Sequence, residues 1–250
     1  MTAYVRANGP ALGLVALIIV ATKHAYAHLG PDQLVWVAGP TQAIVSLLTG
    51  IDFVHEAGYG YVNIAHRIVI ARSCLGVNYL VMVFGMLAFA LIPGTPGPRR
   101  KIVLLLPIAA TAWASAILIN SVRIALGIAL YDAGWSWGGL TPERLHRAAG
   151  VAVYFVALVG LDQLARRAAR ALLAGERRSN VVVAPLLWYV LVTLGLPIAN
   201  GAFFDRPRAF AEHGATVLLL ALLLAGALHA LGAVARTRGQ ASAELRAKSI

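Results

Sequence analysis

The chain has 250 residues, of which 60% are hydrophobic and only 12% charged, whereas an ordinary soluble domain has roughly 45–50% and about 25%. A composition this apolar supplies about seven membrane-crossing helices of ~20 residues and leaves no room for a separate water-soluble catalytic domain. The formal net charge is +11, which in such a chain favours basic loops at an anionic membrane surface over nucleic-acid binding.

Segments without charged side chains predict an all-α, polytopic transmembrane helical bundle of about seven spans (six to eight). They cover residues 7–22, 33–51, 73–98, 102–122, 148–161, 179–204 and 214–235. Pro40 interrupts the second segment and Pro93 stops the third. We expect one integral-membrane domain over residues 1–250, with no cleavable signal peptide and a polar C-terminal tail from about 236.

Clusters of basic residues predict the orientation of these spans. The clusters lie at residues 99–101, 166–178 and 236–248, each two spans from the next, so all three can face one side. The positive-inside rule makes that side cytoplasmic, and we expect Lys23 to lie there too. The positive-inside rule does not account for arginines on the outer side, such as Arg123, so their position needs another explanation.

Three chemically active side chains are predicted to reach the same membrane depth. Cys74, the only cysteine, begins the third span, Arg123 lies near the outer end of the fourth, and His146 opens the fifth. Each has an ordinary interpretation, as a small apolar cysteine, an arginine that snorkels to the surface and a solvated interfacial histidine. An arginine at membrane depth nevertheless costs at least ~2.5 kcal/mol unless it snorkels or is paired.

Together the three side chains form a minimal set for acyl transfer through a thioester. A helix start and the nearby Arg72 would favour the thiolate of Cys74, which is the reactive form. The imidazole of His146 can take the thiol proton and later protonate a leaving amine. The guanidinium of Arg123 can stabilise an oxyanion or a substrate carbonyl.

Polar and small residues near this set have supporting roles in the prediction. Asn120 lies one turn before Arg123 and Asn78 one turn after Cys74, so either amide could orient a partner. Gly76 and Gly150 would allow helices to approach closely near the site.

Three short blocks resemble the signature motifs of the exosortase/archaeosortase family of membrane cysteine transpeptidases. They read Ser73-Cys74-Leu75-Gly76, Asn120-Ser121-Val122-Arg123-Ile124 and His146-Arg147-Ala148-Ala149-Gly150. The blocks occur in the family's order, and the resemblance covers about residues 65–160. Leu75 stands where the family usually has a small residue, and the following Val77-Asn78-Tyr79 suggests the exosortase K type.

The resemblance implies a function and a location. Cys74 would be the nucleophile, His146 the proton carrier and Arg123 the electrophilic stabiliser. The implied substrates are secreted proteins with a C-terminal motif, an apolar helix and a basic cluster, whose acyl group passes to an unidentified surface acceptor. The enzyme would lie in the bacterial plasma (inner) membrane with its site facing the periplasm or exterior. Apart from membrane lipid, we expect no cofactor, metal ion or nucleic acid.

The outer loop over residues 50–72 holds several polar side chains but lacks a zinc-protease pattern. His55 and Glu56 are not followed by a histidine three residues on. The loop is interpreted as a polar lid, as a docking surface for the substrate motif, or as an ordinary solvated loop.

Two other classes of protein remain open at this point. A small membrane transporter could use Arg123 to bind an anionic solute, although the sequence lacks the related halves that such proteins tend to show. A non-enzymatic assembly factor could hold a partner helix and would not need Cys74.

Overall fold

The computed structural model describes residues 2–134, 141–173, 182–199 and 202–247 and is predominantly helical. Its helices are α1 (Thr2–His28), α2 (Val35–Thr49), α3 (Val77–Leu91), α4 (Pro98–Asp132), α5 (Pro142–Leu173), α6 (Val183–Val190), α7 (Leu196–Ala199), α8 (Ala202–Asp205) and α9 (Pro207–Ala247). A π-helical turn, Leu191–Gly195, joins α6 to α7. The strands are β1 (Val54–Glu56), β2 (Gly60–Asn63) and β3 (Ile68–Ile70).

Five segments of the described chain are long and apolar enough to cross a membrane. They are Tyr4–His28, Arg72–Gly94, Pro98–Asp132, Arg144–Ala169 and Pro207–Gly232. The protein is therefore an all-α, polytopic membrane protein, as predicted.

The second and sixth predicted spans are shorter than the charge-free segments suggested. Helix α2 has 15 residues, fewer than the ~20 needed to cross the hydrocarbon core. The sixth segment forms an apolar helix over Val183–Ala199, while residues 179–181 and 200–201 lie outside the described part. Pro197 has no N–H to donate to the carbonyl of Thr193, which fits the π-helical turn just before it.

Helices α1, α4, α5 and α9 all run further than the sequence predicted, and α4 and α9 illustrate the difference. The fourth span was predicted to end at residue 122, but α4 continues to Asp132. The polar tail expected from about 236 continues α9 as helix to Ala247. Both differences have one cause: a charged residue marks the edge of an apolar segment but does not by itself end a helix.

Polar contacts define the two ends of the bundle. At one end, Lys101 at the start of α4 donates to the carbonyl of Ala7 at 2.6 Å and to Asn8 Oδ1 at 2.7 Å. At the opposite end, Lys23 near the end of α1 donates to Oδ1 of Asn78, at the start of α3, at 2.6 Å. We call these the Lys101 end and the Cys74 end.

The expectation that Lys23 shares a side with residues 99–101 is therefore wrong. It assumed that α2 crosses the membrane between α1 and α3. Instead α1 runs directly from the Lys101 end to the Cys74 end, and α2 packs against α4 at the Cys74 end, where Ser121 Oγ donates to the carbonyl of Thr41 at 3.2 Å.

The loop over residues 50–72 contains a small antiparallel sheet in the order β1-β2-β3 that the sequence analysis did not predict. Its strands have only three or four residues. Asp32 fastens it to the α1–α2 connection, because one carboxylate oxygen accepts from the backbone N–H of Gly58 at 3.0 Å and the other lies 3.3 Å from His55 Nε2. Side chains of β3, α2 and α4, including Ile70, Val45 and Ile124, form a hydrophobic cluster beneath it.

Candidate active site

Cys74 lies in a short turn just before α3 and not within the first turn of that helix. The 3₁₀ turn Arg72–Cys74 is followed by Gly76, whose φ of +68° is the left-handed conformation that glycine adopts most readily. The Cys74 thiol is partly buried beside the hydrophobic cluster under the sheet. Its Sγ lies 4.0 Å from both Ser73 Oγ and the carbonyl of Val69.

Asn120 connects the cysteine turn to α5. Its side-chain amide Nδ2 donates to the backbone carbonyl of Cys74, and its Oδ1 accepts from the Tyr154 hydroxyl at 2.6 Å. Asn120 is fully buried, so both halves of its amide need partners within the protein. A Cβ at Gly76 would lie 3.0 Å from Cβ and Cγ of Asn120, so the backbone of residue 76 comes close to this side chain.

Arg123 lies one turn further along α4 and is packed against α5. Its Cζ is 5.4 Å from the centroid of the Tyr154 ring, within the range of a cation–π interaction. A Cβ at Gly150 would be 2.9 Å from Arg123 Nε, so Gly150 makes room for the guanidinium. The cost of an arginine at membrane depth is thus partly offset by an aromatic neighbour.

His146, on the first turns of α5, lies against α4 one turn beyond Arg123. A Cβ at Gly127 would overlap the imidazole ring, and the ring centroid is 6.0 Å from that of Tyr131. His146 Nδ1 is buried and has no hydrogen-bond partner in the described part of the chain. A buried nitrogen without a partner is available to a proton or to a bound group.

The three predicted catalytic residues gather at the Cys74 end of the bundle, on the cysteine turn, α4 and α5. Among the described residues, no hydrogen bond joins Cys74, Arg123 and His146. Asn120 and Tyr154 connect the cysteine turn to the arginine instead.

A cavity of about 290 Å³ opens beside this network. Gly76, Asn78, Arg123 and Gly150 line it, whereas Cys74 and His146 do not. Its wall carries the cationic or polar side chains of Arg123, Arg147, His213, Ser73 and Thr193, with no aspartate or glutamate among the described lining residues. The cavity is therefore suited to a ligand with carbonyl or carboxylate oxygens.

Two residues near the cysteine have partners other than those that the sequence suggested. The amide of Asn78 accepts from Lys23, so it ties α3 to α1 and does not orient the thiol. Arg72 donates to the carbonyls of Ala27 and Leu29 at 3.1 Å each. Both residues hold the end of α1 against the cysteine turn.

Tyr154 was missed by the sequence analysis, although it joins Asn120 to Arg123. Its ring also stacks on Tyr79, with centroids 4.8 Å apart. One signal was present: Tyr154 lies four residues after Gly150 and eight after His146, and so on the same face of α5.

No three His, Cys, Asp or Glu side chains in the described part of the chain lie together as a metal site would require. The chemical groups that the three motif blocks bring to this end are a thiol, a guanidinium and an imidazole.

Compared with known proteins, the chain matches no protein-family model, no curated protein and no solved structure.

Proposed function

We propose that the protein is an exosortase-like cysteine transpeptidase that cleaves the C-terminal sorting signal of secreted proteins. One observation carries the proposal: the buried amide of Asn120 binds both the Cys74 carbonyl and the Tyr154 hydroxyl, while Arg123 packs on the Tyr154 ring. Buried polar groups in a membrane protein are expensive and usually functional. This network fixes the backbone of the only thiol next to a guanidinium and a cavity whose described lining has no aspartate or glutamate.

The reaction follows from the chemistry of the three side chains. Cys74 Sγ gives its proton to His146 and attacks the scissile carbonyl carbon, which forms a C–S bond and an oxyanion that Arg123 stabilises. The C–N bond then breaks, and the departing amine takes the proton from His146. An acceptor amine or hydroxyl gives its proton to His146 and attacks the thioester carbon. The C–S bond then breaks, and the departing Cys74 thiolate takes that proton back from His146.

The unpartnered Nδ1 of His146 fits the role of proton carrier. In structures without substrate, catalytic hydrogen bonds are often long or absent and form only in the complex. A substrate peptide bound in the cavity would contact Arg123 and the cysteine-turn residues Ser73 and Gly76. The Cys74 thiol and His146, which do not line the cavity, would have to approach the peptide when it binds. We propose that the Cys74 end faces the periplasm or exterior of a bacterial inner membrane, because the basic residues 99–101 lie at the other end.

The test compares bacterial cells that carry the native chain with cells that carry Cys74→Ala. Secreted proteins ending in an apolar helix and a basic cluster should lose that tail only in the native cells, as measured by C-terminal peptide mass spectrometry. Cys74→Ser should retain at most a trace of activity, since an alcohol is a poorer nucleophile at neutral pH. A hydroxylamine-labile adduct should form on Cys74 in the native protein.

The matched control is Thr216→Ala, which removes a hydroxyl on α9 that does not line the cavity and leaves the thiol. It should process substrates at a near-native rate. Full processing by a membrane-inserted Cys74→Ala protein would contradict the proposal and favour the assembly-factor or transporter alternatives.

A further inference from the structure

A second and larger cavity lies at the opposite end of the bundle from the candidate active site. This groove, of about 940 Å³, runs between α3, α4 and α5. Apolar side chains such as Leu87, Leu104 and Ala168 line its body, and Arg99 and Arg100 stand at its end. Val103 and Leu164 also line it and are 58% and 60% exposed, so the groove opens on the outside of the bundle.

The length of the groove matches the depth of one membrane leaflet. Along α4 it extends from Arg99 to Thr111, and twelve residues of helix at 1.5 Å each span about 18 Å. The hydrocarbon core of a bilayer is about 30 Å thick, so a single leaflet occupies roughly half of that. The groove therefore reaches from the membrane surface to near the midplane and no further.

The two arginines at the end of the groove form no hydrogen bond or ion pair with any residue that the structure describes. They belong to the first turn of α4, where the positive end of the helix dipole adds to their charge. An anionic group at this position would interact with two guanidinium groups and with the helix N-terminus.

We infer that the groove binds one anionic glycerophospholipid, with its acyl chains along α4 and its phosphate at Arg99 and Arg100. A membrane-spanning helix of a protein partner is a poorer match, because it would need a groove across both leaflets. A helix followed by a basic cluster would also be repelled by the two arginines. The inference does not depend on the proposed enzymatic activity.

The test measures lipid binding by native mass spectrometry of the full chain in neutral detergent. The probes are phosphatidylglycerol and phosphatidylethanolamine with identical acyl chains. Replacing both arginines, R99Q with R100Q, should reduce phosphatidylglycerol binding roughly 30-fold, since each basic side chain near an anionic headgroup contributes about fivefold. The variant keeps Lys101, whose ammonium holds α1, so the fold should be unchanged.

The matched control is the double variant R206Q and R208Q, which removes two exposed arginines near the start of α9. These arginines lie on the side of the bundle that carries His213 and the smaller cavity, and they do not line the groove. It should bind phosphatidylglycerol like the native chain. Ala168→Trp, which fills the groove and keeps both arginines, should weaken binding of both lipids at least tenfold.

Three results would overturn the inference. The first is equal phosphatidylglycerol binding by the R99Q/R100Q variant and the native chain, and the second is undiminished binding by Ala168→Trp. The third uses a photo-crosslinker placed at Val103 in native membranes. The inference expects this crosslinker to capture phospholipid. Capture of a protein segment there in place of lipid would assign the groove to a partner helix.

Discussion

Replacement of Tyr154 by phenylalanine tests the hydrogen-bond network that the candidate site depends on. The change removes the hydroxyl that donates to Asn120 Oδ1 at 2.6 Å and keeps the ring that stacks on Tyr79 and lies beneath Arg123. Asn120 is 0% exposed, so its Oδ1 cannot turn to water. A buried acceptor left without a donor costs about 1–3 kcal/mol in soluble proteins.

The expected loss lies in the lower part of that range, because hydrogen bonds inside membrane proteins average ~0.6 kcal/mol and reach ~1.7 kcal/mol. We expect Tyr154→Phe to lower the free energy of unfolding by about 1–2 kcal/mol, measured by reversible denaturation in mixed detergent micelles. Tyr131→Phe is the matched control. It removes a hydroxyl at the same end of the bundle from a side chain that is 49% exposed, and it should change stability by less than ~0.5 kcal/mol.

A double-mutant cycle separates this hydrogen bond from other effects of the two substitutions. Combining Tyr154→Phe with Asn120→Ala should give a coupling free energy of about 1 kcal/mol. Additive losses, or equal losses in Tyr154→Phe and Tyr131→Phe, would refute the network. If the network also positions Cys74, substrate processing by Tyr154→Phe should fall roughly 10- to 100-fold at unchanged protein level.

Two further predictions concern arginines. Arg123→Lys should lower processing by roughly 10²–10³-fold, because lysine cannot reproduce a planar guanidinium that packs on Tyr154 and, in the proposed reaction, stabilises an oxyanion. Near-native cleavage in cells would show that a simple positive charge suffices, as expected for snorkelling or for binding of an anionic solute. Arg166→Gln should destabilise the protein by about 3 kcal/mol, because the carboxylate of Asp162, 2.6 Å from Arg166 Nε and fully buried, would lose its charged partner. The neighbouring, exposed Arg167→Gln is the control in the same detergent unfolding assay, and equal stability of the two variants would contradict this reasoning.

The main membrane-spanning helices could be predicted from the sequence, because a charged side chain in lipid is costly. A long segment without charged residues therefore indicates a span. That rule locates α1, α3, α5 and α9, whose apolar stretches coincide with charge-free segments, although it does not find where α9 ends. It fails for α2, because a short helix buried against α4 is as apolar as a helix that crosses the membrane. Helix α4 shows the opposite failure, since tertiary contacts shelter Arg123 and let the apolar helix continue beyond it.

The components of the site were predictable, but their connections were not. Residue types at the ends of three helices identified Cys74, Arg123 and His146. Side-chain rotamers decide whether Asn78 turns to the thiol or to Lys23, and the sequence does not specify them. Tyr154 was missed because a tyrosine in an apolar helix is usually an ordinary packing residue, and only the fold shows that its hydroxyl meets a buried amide.

The Cys74 end has features that a purely structural helical bundle would not need. Asn120 is buried where an apolar side chain would be less costly, and Arg123 lies in a membrane-spanning helix. Gly76 and Gly150 leave space for those two side chains, and each glycine gives up packing and backbone rigidity to do so. The four residues are complementary in pairs, which indicates that their arrangement is specific. Since the arrangement fixes the backbone of the only thiol, it supports the proposal that this thiol is the nucleophile.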